Sequence, residues 1–257
     1  MGPVSDRETL AERMRGYFGV QLMLAERIAA LSPSDLGEAA LRCTNLHRRF
    51  GLGRPEHGAA PAWSDYAGRL EQSGSATERL DWTIEFFVGA PEETAPAGHV
   101  HFGCFACEPP DADGAVKIHF NNRDTEGGLG PLASAKAGAR MAELDRLTAH
   151  VRAAWPHARK IKGGSWLYNL EAYRRLFPPA YAASRRRPEA VRLTGSSSWG
   201  QFLDWRGAVK PDLAQAFAAN LDRLDPAAPW RAFPLPALTA EAPVDAFIEF
   251  YEAQAGL

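Results

Sequence analysis

Apolar residues recur at helical intervals through the first thirty positions: Leu10, Met14, Phe18, Leu22, Ala25 and Ile28 fall on one side of a helix over 5–31. Ser5 and Glu8 stand at capping-box spacing ahead of them. The run Ser32-Pro33-Ser34-Asp35 offers caps, a first-turn proline and an acid, and predicts a second helix ending near Gly51. Residues 52–62, rich in Gly, Pro and Ala, read as a loop, and a short helix follows around Trp63–Leu70.

The period then changes. Leu80, Trp82, Ile84, Phe86 and Val88 alternate with polar residues, which predicts a half-buried strand. The segment HVHFGCFAC (99–107), the turn PPDADG (109–114) and AVKIHFNN (115–122) predict a hairpin or three-strand meander. Beyond a glycine-rich stretch at 127–131 come a long helix over 131–154, a short strand at 159–168 and a helix over 170–183. Extended chain at 190–205, a helix at 212–224 and a last helix near 243–254 complete the pattern. A run of strands flanked by helices gives an α+β expectation: one domain over 1–257, its sheet antiparallel and covered by helices. Residues 1–75 form the helical part of that domain, and 76–257 the sheet with its helices. No internal repeat or low-complexity linker interrupts it.

Hydrophobic residues make up 46% of the chain and charged residues 23%, enough for a full core. The net charge of −2 gives no global attraction to nucleic acid or membrane, so an electrostatic partner must be met by a local patch. Cys43, Cys104 and Cys107 are too few for a disulfide framework. The N-terminus has no apolar secretory core, and no stretch reaches the ~20 apolar residues of a membrane span. A reduced, cytoplasmic setting is expected.

Residues two apart on a strand share a side, so His99 and His101 point together, and Lys117, His119 and Asn121 lie opposite Val116, Ile118 and Phe120. On the expected strand at 80–88, Asp81 and Glu85 are the polar counterparts. Three imidazoles and two carboxylates on one face suit proton abstraction near neutral pH, although antiparallel sheets also carry plain solvated faces. A His-x-His pair with a third histidine is conceivable zinc or iron chemistry, but Cys104 and Cys107 fall on opposite sides of a strand and no second Cys pair exists. No metal site is therefore expected on these residues.

Gly127-Gly-Leu-Gly130-Pro131 lacks phosphate-loop spacing and reads as a turn. Arg48-Arg-Phe-Gly51-Leu-Gly53 has the R-x-x-G-x-G form that cradles the CoA pyrophosphate in acetyltransferases, but here it closes a helix instead of opening one. Ser165, Tyr168 and Asn169 sit at a strand-to-helix junction with Arg174 and Arg175 one turn on, and planar guanidinium forks suit sulfate, phosphate or carboxylate. Arg185–Arg187 form a basic run in which Arg186 and Arg187 read as solvated, and the Ser196–Phe202 segment, with Ser198, adds hydroxyl donors beside aromatics. No nucleophile elbow, dinucleotide fingerprint or deaminase motif is present.

In TNLHRRFGLG (44–53), IHFNN (118–122), SWLYN (165–169), YRRLFPPAY (173–181) and SSWGQFLDWRG (197–207), the chain resembles a family of uncharacterised bacterial proteins. That family includes the aziridine-forming, sulfate-eliminating proteins of azinomycin- and ficellomycin-type biosynthesis, and the alanine- and arginine-rich composition resembles that of a high-GC actinobacterial source. The resemblance implies a lyase-type cyclase working without a redox cofactor. Its substrate would be a sulfated diamino acid held on a small acidic amino-group carrier protein, and sulfate would leave as the neighbouring nitrogen closes the ring. Such chemistry needs a base and an oxyanion site. His99, His101, His119, Asp81 and Glu85 are the candidate bases. Arg49, Arg123, Ser165, Tyr168, Asn169, Arg174, Arg175 and Ser198 are the candidates for holding the anion. A CoA-dependent acyltransferase and a non-catalytic protein that docks an acidic carrier are the alternatives.

Overall fold

The computed structural model describes residues 6–93, 98–124 and 126–255. In chain order the helices are α1 (Asp6–Leu31), α2 (Leu36–Cys43), α3 (Leu46–Arg49), α4 (Pro61–Gln72), α5 (Ala76–Gly89), α6 (Ala137–Ala154), α7 (Glu171–Arg174), α8 (Pro179–Ala183), α9 (Ser196–Trp199), α10 (Pro211–Leu221) and α11 (Val244–Ala255). The strands are β1 (Val100–Phe102), β2 (Phe105–Cys107), β3 (Ala115–Phe120), β4 (Lys160–Ser165) and β5 (Leu238–Pro243). The fold is α+β, and two compact units share the chain. One comprises the described residues of Met1–Thr94 with Ala190–Pro236, the other those of Ala95–Glu189 with Ala237–Leu257.

In the first unit α1 packs on α2 and α5, and α4 packs on the same two, closing a ring of four helices against which α10 also rests. Tyr17, Phe18, Phe50, Trp63, Tyr66 and Phe87 fill its core. Asp35 caps α2, accepting the Glu38 amide at 2.7 Å, as its position predicts. The expected continuous helix to Gly51 is instead broken at Thr44, whose backbone is extended (φ −126°, ψ 171°) and whose hydroxyl donates to the Ala40 carbonyl. The proposed Ser5 cap lies outside the described residues.

The strand expected at 80–88 is a helix. Ser75 and Glu78 form a reciprocal capping box that starts α5, and the residues buried from it are Thr83, Ile84 and Phe87, at helical spacing. The apolar alternation arose because Trp82 and Phe86 pack beside that stripe, against Tyr66, instead of pointing away from it. Asp81 and Glu85 consequently lie on an exposed helix surface in the helical unit.

The second unit carries one five-stranded sheet in the order β1-β2-β3-β4-β5. It is mixed, not wholly antiparallel: β3 and β4 run parallel, joined by a crossover through α6, and the other neighbours are antiparallel. The expected helix at 170–183 is split into α7 and α8 by Pro178-Pro179, and the extended reading at 190–205 gives way to α9 and a 3-10 turn at Gly200–Phe202. Register sorts the sheet into two faces. Phe102–Phe105–Phe120, Val100–Cys107–Ile118 and Val116–Ile161–Ala242 form apolar rows. Tyr173 and Phe177 pack on Phe105 of that face, and α6 contacts β1 and β2. The opposite rows are His101–Ala106–His119, Lys117–Lys162–Glu241 and Ala115–Lys160–Pro243.

Candidate active site

The polar rows bring two of the expected histidines together and add a carboxylate. Glu108 follows β2 and its amide donates to the Lys117 carbonyl at 3.0 Å, so the ladder continues through it. Alternation from Ala106 then puts its side chain on the face of His101 and His119. Glu108 Oε1 lies 2.6 Å from His119 Nε2, 3.3 Å from His99 Nε2 and 3.9 Å from Lys117 Nζ. The His99 and His119 rings stack at 4.8 Å with an interplanar angle of 17°. Ala106, fully buried between His101 and His119 in register, contributes only a methyl and leaves the imidazoles room over the sheet.

Burial sets the electrostatics here. Desolvation drives the His119 pKa down to about 4, against the opposing pull of Glu108, so the imidazole is neutral at neutral pH. Burial raises the Glu108 carboxyl, but Lys117 and the imidazoles outweigh it and the net shift is downward. His101 is also lowered, first by burial and then by Arg123, and its Nδ1 is buried with no hydrogen-bond partner among the described residues. His101 stands 6.3 Å from His99, ring to ring. Further along the face Lys162 bonds Asp111, Lys160 bonds Glu241 at 3.0 Å, and Arg186 lies 3.6 Å from Glu241. The Lys162 bond, with the Ala115 amide, holds the Asp111 carboxyl down to about 2.

The remaining candidates do not gather here. Asp81 pairs with Arg15 at 2.7 Å and Glu85 with Arg69 at 3.2 Å, on the helical unit. Arg49 belongs to the same unit, where its guanidinium lies over Tyr17 and 3.5 Å from Glu93. Ser198 is buried in that unit too, and its carbonyl accepts from Gln201 Nε2 at 2.9 Å. In the sheet unit Ser165 caps the 3-10 turn Trp166–Asn169, accepting from the Leu167 amide at 3.1 Å. Tyr168 is buried with its hydroxyl 2.5 Å from that of Tyr181, and Asn169 Nδ2 donates to the Trp166 carbonyl at 2.6 Å. Arg174 bonds Glu171 and the Asn169 carbonyl, and Arg175 is exposed. Ser165, Asn169 and Arg174 serve local turns and Tyr168 the core, so their clustering in sequence does not become a buried anion pocket. Arg123, just past β3, is near enough to depress His101 and is the one member of that set tied to the histidine face.

Two motifs resolve similarly. Arg48-x-x-Gly51-x-Gly53 closes α3: Gly51 takes φ 66° with the Pro91 and Glu92 carbonyls where a Cβ would stand, and Arg48 bonds Glu93. The stretch at 127–131 lies before a separate 3-10 turn (Ser134–Lys136), so it does not open α6 directly. Cys104 accepts from Arg140, which also reaches Asp124 at 2.9 Å and Glu143 at 2.8 Å. Burial raises both Cys104 and Cys107, the latter to about 11, which makes them poor nucleophiles. No family model matches this chain, and comparison with curated proteins and with solved structures finds no match either.

Proposed function

We propose that this protein is a biosynthetic enzyme acting on an anionic, amine-bearing substrate, and that His99, Glu108 and His119 are its reaction centre. The observation that carries the reading is the convergence of both imidazole Nε2 atoms on one carboxylate oxygen, on a partly exposed face bordered by Lys117. A carboxylate that orients imidazoles, the buried one held neutral, supplies acceptors for a substrate proton. In its sharp form the reaction closes an aziridine. The substrate ammonium gives one proton to this centre, the freed nitrogen lone pair forms a bond to the neighbouring carbon that bears the sulfate ester, and the aziridinium so formed gives its second proton to solvent. The carbon–oxygen bond of the sulfate ester breaks as that bond forms, and its electron pair leaves with sulfate. Lys117 and Lys162, neighbours across β3 and β4, are the cations placed to receive the departing charge. The cations Lys117, Lys160, Lys162 and Arg186 also make this the face that an acidic carrier protein would meet.

Incubation with a 1-amino-2-sulfooxy substrate, free or carrier-bound, tests this by ion chromatography of released sulfate. Release is expected from the wild type and is expected to fall by about 100-fold or more in Glu108→Gln and His119→Gln. No release, or release unchanged in both variants, overturns the assignment. Release abolished by Arg174→Ala but not by Glu108→Gln would move the site to the 165–175 segment.

A further inference from the structure

We infer that the centre formed by His99, Glu108 and His119 is a binding site for a first-row divalent transition metal ion of the zinc or iron class. The inference rests on the same reaction centre and departs from the expectation that no metal takes part. One ligand atom from each residue lies within 4.8 Å of the other two. Two imidazole nitrogens and one carboxylate oxygen are a donor set typical of Zn²⁺ and non-haem Fe²⁺, and unlike the all-oxygen shell of Mg²⁺ or Ca²⁺.

The spacing fits with small movements. An ion held at about 2.0–2.2 Å from each donor in tetrahedral geometry separates its ligand atoms by roughly 3.4 Å. His99 Nε2 and Glu108 Oε1 are already 3.3 Å apart, and His119 Nε2 and Glu108 Oε1, at 2.6 Å, need to open by under about 1 Å. A side-chain rotation of Glu108 provides that while its backbone stays in place, its amide donating to the Lys117 carbonyl. The two rings stack near-parallel and both Nε2 atoms approach the same carboxylate oxygen, where a single ion can reach both.

Sequence order makes the site a property of the hairpin and its neighbour. His99 precedes β1, Glu108 follows β2 and His119 lies in β3, so the ligands come from three adjacent segments held by one ladder. A preformed site on strands costs less ordering on binding than one built from loops. The opposing contribution is Lys117, whose ammonium stands 3.9 Å from the same oxygen. Its side chain is 45% exposed on a flexible stem, so it can turn to solvent when a cation enters. Three protein ligands leave at least one coordination position for a substrate oxygen or water, the arrangement of catalytic and not structural metal sites. Cys104 and Cys107 take no part: Cys104 is engaged by Arg140, and Cys107 projects from the apolar face.

The test uses the full chain, stripped of metal with a chelator and titrated with Co²⁺ and then Zn²⁺. Isothermal titration gives stoichiometry, and the visible absorption of Co²⁺ reports coordination. One ion per chain is expected, with absorption bands of four- or five-coordinate Co²⁺ lacking the intense thiolate band, and displacement by Zn²⁺. Affinity is expected to fall at least about 100-fold in each of His99→Gln, Glu108→Gln and His119→Gln, since removing a ligand costs more than removing its supporting contacts. Asp81→Asn and Cys104→Ser are expected to bind as the wild type does. Absence of saturable binding overturns the inference, as does binding that survives all three ligand substitutions or that falls with Cys104→Ser. Three glutamine variants that keep the wild-type unfolding midpoint exclude misfolding as the cause. Sulfate release that depends on Glu108 without any bound metal would leave the reaction centre standing and sink the metal site alone. Metal binding with sulfate release indifferent to Glu108 would do the reverse.

Discussion

Gly163 faces two tyrosine hydroxyls: a Cβ there would stand 2.1 Å from that of Tyr168 and 2.7 Å from that of Tyr181. Both rings are buried and joined by a 2.5 Å hydrogen bond, so neither has free space to retreat. Overpacking a full core typically costs about 1–3 kcal/mol. Gly163→Ala is therefore expected to lower the unfolding free energy read from urea denaturation by that amount, and adding Tyr168→Phe, which removes the closer oxygen, to recover part of it. A double-mutant cycle with no coupling between the two positions would contradict this packing. The same scale decides what was legible at the site. His99 and His119 were readable from strand parity, and Lys117 with them. Glu108 was overlooked because it stands beside Pro109-Pro110, in what reads as a turn. Counting two residues on from Ala106 along the strand was the available signal. Ser165, Tyr168, Asn169 and Arg174 were readable as polar residues at a junction. Sequence spacing cannot tell a group that binds a ligand from one that satisfies the chain's own turn, and here Ser165, Asn169 and Arg174 cap and close the turn while Tyr168 bonds Tyr181.

At the scale of elements, α5 shows how a two-residue alternation misleads. Five apolar residues at even spacing mimic a strand, yet a helix buries 83, 84 and 87 as readily, and the capping box at Ser75 and Glu78 tips the balance. An N-cap serine is worth about 1 kcal/mol. Ser75→Ala should cost the protein that much in a chemical denaturation series, whereas Ser73→Ala, outside the box, should cost less. Equal effects would mean that the cap does not govern this helix. Long periodic helices such as α1, α6 and α11 were legible because their apolar stripes run over several turns. β5 was not: LTAEAP is short, only weakly apolar, and becomes a strand through its antiparallel pairing along the whole of β4. Parallel pairing of β3 with β4 was equally hidden, since direction depends on how the α6 crossover returns the chain.

Across the whole molecule, the chain leaves the sheet unit after Glu189, completes the helical unit through Ala190–Pro236, and returns at Ala237 to add β5 and α11. Near-neutral net charge conceals a local arrangement in which one sheet face carries four cations and three anions around the paired imidazoles. No described helix is long and apolar enough to cross a membrane. The candidate bases Asp81 and Glu85 fall on the helical unit and the histidines on the sheet unit, so the polar residues expected on one face divide between the two. The most direct measurement is a crystal structure of the protein with an aminoalkyl sulfonate, whose carbon–sulfur bond cannot be displaced as a sulfate ester is. The expected result is the ligand on the polar sheet face, its amine within hydrogen-bond reach of His119 or Glu108 and its sulfonate beside Lys117 and Lys162. A ligand seated instead at Arg49, or against Ser165 and Arg174, with that face left bare, would contradict the assignment of the reaction centre.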